Sequence, residues 1–259
     1  MNILVCLKAV PDPSALIEIS DDHLSLRVVS SAPYMMSSLD EHALEEALTL
    51  KDSCTGVQIH AISIGDEDRS LPLLQRAMGM GADRAIVGGL RNPGLSDHPL
   101  VVASALASWA KIHPYSLYMV GASSDDLMQG QVGPMLAELM GLPCATCVVC
   151  VEPITDETII VEREIHGGLR CRLEVDLPAV ITILSSKHTP RYPSLSNMLR
   201  AKKTSPEYFM FDSEPLLENC KLRVSYHEPP KNRTAIFLQG DVGVQADQLI
   251  GVLRSKGLI

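Results

Sequence analysis

Several features that mark common classes of protein are missing from this chain. No apolar run approaches the roughly 20 residues needed to cross a bilayer, and the first residues form no basic-then-apolar leader. We therefore expect a cytoplasmic protein that does not insert into membranes. Aromatic residues make up only 4% of the 259 residues, so the core is expected to consist of Leu, Val, Ile, Ala and the eleven Met. The net charge of −9 argues against a general nucleic-acid binder, which usually has a basic face.

Sequence signatures of catalysis and of metal binding are missing as well. The chain has no Gly-x-Ser-x-Gly elbow and no His-Glu-x-x-His motif, its eight His are scattered singly, and the acidic pair Glu45–Glu46 is most simply a solvated helix face. Three of the seven Cys, at positions 144, 147 and 150, have a spacing that suggests an iron–sulfur cluster. The fourth thiolate and the Pro of such a motif are absent, and we expect reduced, buried thiols in a strand instead. The residues therefore give no candidate catalytic group and no metal site.

Patterns of buried strands and amphipathic helices alternate through the first half of the chain. The predicted strands lie at 1–8, 57–64, 85–88 and 115–120, and the predicted helices lie at 39–51, 71–80, 97–112 and 131–140. This alternation predicts an α/β fold with a mainly parallel sheet and helices on both faces. Further on, the runs 159–164 and 171–175 predict a hairpin, and the run 180–184 returns to the sheet.

The last quarter of the chain has a different character. From about residue 202 the pattern becomes irregular, with Pro206, Pro215, Pro229 and Pro230, and a final amphipathic helix is predicted at about 244–256. This segment is too irregular to form a core of its own. Either an arm laid against a partner subunit or a tail docked on its own domain explains it. We therefore divide the chain into an α/β domain at 1–203 and a C-terminal arm with a helix at 204–259.

The polar loop 121–134 is the strongest candidate for a binding site. It leads from the carboxyl end of a predicted strand to the start of a predicted helix, where free backbone N–H groups and the helix dipole favour phosphate. Gly130 and Gly133 leave room for a close approach, and Asp126 could accept from ribose hydroxyls. A plain strand-to-helix connection remains the alternative, because the loop has no recognised phosphate-binding motif. The candidate residues are Gly121, Ser123, Ser124, Asp125, Asp126, Gln129, Gly130, Gln131, Val132, Gly133 and Pro134.

The stretch 190–203 is the second candidate for a functional surface. It follows the apolar run 177–184, which predicts a buried strand, and loops that leave a rigid strand often carry binding residues. Leu195 stands as a single apolar residue between polar neighbours, and the prolines at 190 and 193 restrict the backbone around Tyr192. The stretch is therefore either a shaped binding loop or an ordinary crossover loop with a helix start.

Together with the segments 161–168 and 177–180, this stretch resembles the beta subunit of electron transfer flavoproteins. Nearly the whole chain fits the order of segments in that family, from residues 1–5 to the C-terminal helix. The resemblance implies a fold of the adenine-nucleotide-binding type, similar to universal stress proteins. It implies an electron-transfer subunit rather than an enzyme, paired with an alpha subunit that carries the redox FAD. The flavin then performs the redox chemistry, while the protein docks a flavin dehydrogenase and positions the groups.

The resemblance also implies which residues bind. The loop 121–134 would hold AMP or, in electron-bifurcating members, a second FAD, and the loop 184–203 would dock the dehydrogenase. Further nucleotide contacts are implied at Cys6, Ile64, Ser37, Ser38 and Leu39, and docking contacts at Pro190, Arg191, Tyr192, Leu195 and Arg200, with Leu195 as the anchor.

Departures from the family pattern leave some choices open. Ser37 and Ser38 replace an Asn-Pro pair, so the choice between AMP and FAD stays open. Arg200 stands where Lys is common and His188 is part of an unusual pair before Pro190, so the identity of the dehydrogenase stays open too.

Two other functions fit parts of the sequence. One is a stand-alone adenine-nucleotide-binding module of the universal-stress-protein type, although such a module has no need of a long arm rich in Pro. The other is an ATP-consuming ligase of related fold, which would need a Ser-Gly-Gly phosphate loop after the first strand. The chain has Lys-Ala-Val-Pro-Asp at 8–12 instead, so the ligase is the least favoured.

Overall fold

A large sheet lies at the centre of the first of two units into which the chain divides. The computed structural model describes residues 1–28, 33–153, 155, 157–212, 225–228, 230 and 235–259. The first unit comprises Met1–Glu18 and Val28–Arg223, and the second comprises Ile19–Arg27 and Val224–Ile259. Two of the prolines singled out in the C-terminal arm, Pro215 and Pro229, lie outside the described residues.

The regular elements of the described residues are numbered in chain order. The strands are β1 (Asn2–Cys6), β2 (Ala9–Pro11), β3 (Ile17–Ile19), β4 (Leu26–Val28), β5 (Tyr34–Met36), β6 (Gln58–Ile64), β7 (Arg84–Leu90), β8 (Leu117–Gly121), β9 (Cys144–Pro153), β10 (Thr158–Glu164), β11 (Arg170–Asp176), β12 (Ala179–Ile183) and β13 (Glu207–Phe211). The α-helices are α1 (Ser38–Ser53), α2 (Glu67–Met80), α3 (Pro99–Ile112), α4 (Val132–Met140), α5 (Leu195–Ala201) and α6 (Val242–Ser255).

The central sheet is mainly parallel, as the sequence predicts. In the described part of the chain it has nine strands in the order β11-β10-β9-β12-β8-β1-β6-β7-β13, and β10 alone runs opposite to the other eight. The chain proceeds from β1 outward to β6 and β7 and then returns to β8 on the other side of β1. The strand order therefore reverses between β1 and β8, which is where open α/β sheets bind ligands, beyond the carboxyl ends of the strands.

Helices cover both faces of this sheet. Along β1, Ile3 and Val5 belong to the core shared with α1 and α2, whereas Leu4 and Cys6 belong to the core shared with α3 and α4. Successive side chains of a strand point to opposite faces, so a strand buried on both faces is apolar throughout. This is why β1 reads as an unbroken apolar run.

The helix ends follow local capping rules. Helix α2 begins at residue 67, four residues before the predicted start, because the side chain of Asp66 accepts a hydrogen bond from the Asp68 N–H at 2.9 Å. Helix α4 ends at Met140, as predicted, and the following Gly141 has the left-handed φ of 65° that suits a helix C-terminus. The predicted hairpin is confirmed by the antiparallel pairing of β10 with β11.

The cysteine-containing strand β9 differs from its prediction in one respect. The three thiols were expected to be buried, but only Cys150 is, whereas Cys144 is exposed and Cys147 is partly buried. Between them, Cys147 has a φ of 57° and donates its N–H to Thr182 at 3.1 Å, so the strand is irregular there. Among the described residues no group of three or more His, Cys, Asp and Glu side chains is placed to hold a metal ion.

Strand β13 is the main element that the sequence analysis did not predict. It extends the sheet next to β7, with Glu207 opposite Ile86, and its Phe209 lies 5.0 Å from the ring of Trp109. In the second unit, α6 confirms the predicted final helix, and its first turn is capped by Asp241, which accepts from the Val244 N–H. None of the helices in the described ranges combines the length and apolar character needed to cross a bilayer.

Candidate functional site

A pocket opens beyond the carboxyl ends of β1, β6 and β8, at the reversal of strand order. Its apolar walls include Ile62 and Val120 from the sheet and Val102 and Leu106 from α3. Its polar side is formed by the end of β1, the loop before α3 and the loop 121–131 that leads to α4. The pocket therefore combines an apolar interior with a polar rim, which is typical of small-molecule sites.

The predicted nucleotide contacts are only partly brought together by this pocket. Those that line it are Cys6, Ile64, Gly121, Ser123, Ser124, Gln129, Gly130, Gln131 and Val132. Those placed beside it rather than on its lining are Ser37, Ser38, Leu39, Asp125, Asp126, Gly133 and Pro134.

Several of the residues beside the pocket hold the loop to helix α1. The carboxylate of Asp125 accepts from the Ser38 N–H at 2.7 Å and from the Ser38 hydroxyl at 2.6 Å. In return, the Asp125 N–H donates to the hydroxyl of Ser37 at 3.3 Å. A carboxylate at a helix N-terminus satisfies free N–H groups and interacts favourably with the helix dipole. Asp125 thus acts as a cap for α1, and the serine pair binds the loop.

Lys8 supplies a positive charge at the edge of the pocket. Its ammonium lies 2.7 Å from Asp126 and 3.0 Å from Asp97. Burial alone would lower the pKa of Lys8, but the two carboxylates outweigh it and raise that pKa. Burial likewise acts to raise the pKa of Asp126, but the hydrogen bonds from Lys8 and Ser124 hold it below its ordinary value. Lys8 and Asp126 are therefore both charged at neutral pH.

Asp40 is a buried carboxyl that joins the ends of the two central strands. One oxygen accepts from the Lys8 N–H, just after β1, at 2.7 Å, and the other accepts from the Gly121 N–H, at the end of β8, at 2.9 Å. Burial raises the pKa of Asp40 to about 7, and the two N–H donors only partly oppose this shift. Gly121 makes the arrangement possible, because a Cβ there would lie 2.4 Å from an Asp40 oxygen.

The start of α4 is the part of the pocket that suits an anion. No side chain caps its first turn, all of which lies in the described part of the chain, and backbone N–H groups at such an end attract negative charge. Just before it, Gly130 has a φ of 63°, and a Cβ there would lie 3.1 Å from the Ala122 carbonyl oxygen. The residues present therefore fit a nucleotide with its base among the apolar walls and its phosphate at α4.

The second candidate surface lies on helix α5. Ser194 caps this helix by accepting from the Asn197 N–H at 3.2 Å. On the inner side, Met198 contacts α2 at Gly79, where a Cβ would lie 2.4 Å from its sulfur. On the outer side, Leu195 is 78% exposed and Leu199, one helical turn further, is 55% exposed.

The other predicted docking residues are placed differently from one another. Tyr192 is 88% exposed, and Arg200 is exposed with a 3.4 Å contact to Asn197. Pro190 is half-buried, and the guanidinium of Arg191 pairs with Glu45 in helix α1, with 34% of the Arg191 side chain exposed.

The acidic pair of α1 corrects one prediction. Glu45 and Glu46 were expected on a solvated face, which is wrong, because they are only 4% and 2% exposed. A buried carboxylate needs partners, since an unpaired one carries a large desolvation penalty. Glu45 accepts from Arg191, and Glu46 accepts from the Val151 N–H at 3.1 Å and from the Ser186 hydroxyl.

Comparison with known proteins agrees with this architecture. Residues 25–209 match the family model described as "Electron transfer flavoprotein domain". The chain is 30% identical to "Electron transfer flavoprotein subunit beta" of Bacillus subtilis over 100% of both chains. It is 32% identical to "Electron transfer flavoprotein subunit beta, mitochondrial" of Arabidopsis thaliana, over 99% of this chain and 98% of the relative. The chain belongs to the electron transfer flavoprotein beta-subunit family.

A further relative is named as part of a larger assembly. The chain is 28% identical to "Caffeyl-CoA reductase-Etf complex subunit CarD" of Acetobacterium woodii over 100% of both chains. Electron transfer flavoprotein subunits are electron carriers rather than conventional enzymes, and the resemblance of the sequence to this family is confirmed.

The sequence analysis of this beta-subunit homologue missed three charged residues at the pocket. Asp40, Lys8 and Asp97 were not considered as site residues. Lys8 offered a signal, because it directly follows a buried strand at the edge where parallel sheets bind ligands. Asp40 offered none, since its partner Gly121 is 81 positions away in the sequence.

The burial of Asp40 leads to a prediction about pH. Its pKa in the folded chain is about 7, against an ordinary value of 3.8, so the folded chain binds this proton more tightly than the unfolded chain. The protonation of Asp40 therefore contributes fully to the free energy of unfolding below about pH 4, and this contribution is lost as the pH rises through 7. We expect the free energy of unfolding of wild type, relative to Asp40→Asn, to fall by about 2 kcal/mol from pH 5 to pH 7. Urea unfolding at several pH values measures this, and parallel pH dependences for the two proteins would contradict it.

Proposed function

We propose that this beta-subunit homologue binds an adenine nucleotide in the pocket between β1 and β8 and docks a flavin dehydrogenase through the outer side of α5. Electrons then pass to or from an FAD held with an alpha subunit. The observation that carries the proposal is an apolar pocket at the reversal of strand order that opens onto an uncapped helix N-terminus.

The parts of the pocket suit the parts of an adenine nucleotide. The walls at Val102 and Leu106 offer apolar surface to the base. The first turn of α4 offers N–H donors to a phosphate, and Gly130 lets the backbone approach it closely. AMP and a second FAD share these features, so both remain candidates. A flavin bound here would supply redox chemistry, while the residues of this chain bind and orient the nucleotide.

The docking proposal rests on the apolar surface of the α5 segment. Tyr192, Leu195 and Leu199 together expose apolar side chains on a short helix that is fixed to α2 on its other side. Exposed apolar side chains on a fixed element are typical anchors of protein interfaces. The relative named as a subunit of a caffeyl-CoA reductase complex supports a reductase or dehydrogenase as the partner.

We also propose the division of the chain into a nucleotide-binding domain at 1–203 and an arm at 204–259. Strand β13 at the start of the arm joins the central sheet, and the later part of the arm contacts the alpha subunit. Helix α6 of the arm supports this, because its apolar residues Val242, Val244, Leu249 and Val252 are exposed. An amphipathic helix with an exposed apolar side suits contact with another protein.

The nucleotide is tested by extraction from the purified heterodimer. We expect about one adenine nucleotide for each beta chain, released by denaturation and identified by chromatography and mass spectrometry. The same measurement decides between AMP and FAD. A heterodimer that contains the alpha-subunit flavin but no nucleotide in the beta chain would overturn the proposal.

A substitution that fills the pocket tests whether the nucleotide binds there. Val102→Phe is expected to raise the dissociation constant of the extracted nucleotide at least about tenfold, or about 1.4 kcal/mol, because the larger ring occupies the space of the base. Calorimetric titration of nucleotide-free protein measures it. The matched control is Ile112→Phe on the same helix, whose side chain is exposed and lies outside the pocket lining. Equal affinities for the two variants would place the nucleotide elsewhere.

A further inference from the structure

Two adjacent buried carboxylates of α1 hold the segment that leads to the proposed docking surface. We propose that Glu45, acting through Arg191, is a positioning residue that sets the place and orientation of Tyr192 and Leu195. The inference rests on the proposed docking function of α5, and it assigns Arg191 a role inside the chain instead of a contact with the dehydrogenase.

The contacts between Glu45 and Arg191 fix both the backbone and the side chain. The Arg191 N–H donates to Glu45 Oε2 at 2.9 Å, Nη2 donates to Oε1 at 2.8 Å, and Nε lies 3.1 Å from both oxygens. Nη2 also donates to Asp52 at 2.8 Å. A forked, charge-assisted pair of this kind constrains orientation as well as distance. The guanidinium is thus engaged by two carboxylates of α1, Glu45 and Asp52.

Glu46 holds the beginning of the same segment. Its carboxylate accepts from the Ser186 hydroxyl and from the Val151 N–H of β9, and the Ser186 oxygen also accepts from the His188 N–H at 2.9 Å. The segment between β12 and α5 is therefore bound to α1 at two points, Ser186 and Arg191. The second point directly precedes Tyr192.

Beyond Arg191, the described contacts of the segment with α2 are apolar packing and a cation–π contact, in which Arg76 lies 5.7 Å from the centroid of the Tyr192 ring. Pro193 and Met198 pack at Gly79 of α2, and Ala201 is buried. Apolar packing is not directional, whereas the ion pair specifies one orientation. Removal of the Arg191 side chain also leaves Glu45 buried without its cation, which is strongly unfavourable. The expected result is a displaced or mobile docking helix in a chain whose nucleotide pocket is intact.

Hydrogen–deuterium exchange on the purified heterodimer tests the positioning directly. In Arg191→Ala, backbone amides of residues 192–203 should exchange at least about tenfold faster, while those of β1 and β8 keep their wild-type rates. Arg191→Lys retains a cation and should restore part of the protection. Glu45→Gln keeps an acceptor for the Arg191 N–H, and it serves as the second variant if Arg191→Ala does not fold. The control is Arg84→Ala, which removes an exposed ion pair with Glu207 outside this segment.

Steady-state kinetics separates positioning from general destabilisation. The reductant is the flavin dehydrogenase that reduces the wild-type heterodimer fastest in a screen of purified flavin dehydrogenases. Arg191→Ala should raise the apparent KM for the heterodimer about tenfold with nucleotide content unchanged, and Arg191→Lys should recover part of it. Arg191→Ala could keep the wild-type hydrogen exchange and KM while Leu195→Ala slows reduction of the heterodimer. This result would overturn the positioning role of Glu45 and Arg191 and leave the docking function intact. Wild-type kinetics in both variants would overturn the docking function itself.

Discussion

Replacing Leu195 by Ala is expected to lower kcat/KM for reduction of the heterodimer by its dehydrogenase by about 30-fold. Leu195 is 78% exposed at the start of α5, so it adds little to the stability of the free chain. An apolar anchor that becomes buried in a partner typically accounts for about 2 kcal/mol of binding, which corresponds to that factor. The rate of flavin reduction at heterodimer concentrations below KM measures the loss.

Nucleotide content and thermal stability should be unchanged in Leu195→Ala, because the side chain lies outside the pocket lining. Ile112→Ala is the matched control, since Ile112 is 74% exposed and lies at the end of α3. We expect wild-type kinetics for this control. If Leu195→Ala reacted as fast as Ile112→Ala, the outer side of α5 would not be the docking surface.

Gly121→Ala is expected to destabilise the chain by about 3 kcal/mol or more, the largest stability effect that we predict. A Cβ at this position would lie 2.4 Å from an oxygen of Asp40, 3.0 Å from the Asp40 backbone nitrogen and 3.1 Å from the Leu39 carbonyl carbon. Backbone atoms cannot move aside as the end of a flexible side chain can. The start of α1 would have to separate from β8 and break the hydrogen bond between the Gly121 N–H and Asp40. Thermal unfolding measures the effect.

Nucleotide should be lost together with stability in Gly121→Ala, because the same backbone forms the edge of the pocket. Gly251→Ala is the control, because a Cβ there meets nothing within 4 Å. Its position inside α6 predicts a gain of about 0.5 to 1 kcal/mol. A melting temperature for Gly121→Ala equal to that of wild type would show that the contact between α1 and β8 can relax freely.

The fold could be predicted from local signals. The unbroken apolar run of β1 indicates a strand buried on both faces, and glycine at 141 marks the end of α4. These patterns are confined to a few consecutive residues, so the sequence displays them directly. Strand β13 also carries a local signal, the aromatic-rich run 207–211, but the neighbouring prolines obscured it.

The charged framework of the sites could not be predicted in this way. Asp40 and Glu45 lie on a helix whose exposed face was expected to be acidic, and hydropathy treats every carboxylate as a surface residue. Their burial depends on partners far away in the sequence, such as Arg191, which is 146 positions from Glu45. Only the folded arrangement shows that these carboxylates are internal connections.

The residues on the two sides of α5 are distinct, and this affects how the proposed choice of dehydrogenase could change by substitution. The residues that fasten this helix, Pro193, Met198 and Ala201, are distinct from Tyr192, Leu195 and Leu199, which face outward. Substitutions at exposed positions usually alter stability little. Under the proposed docking function, the outward residues can therefore be exchanged to retarget the subunit to a different electron donor with little effect on the stability of the chain.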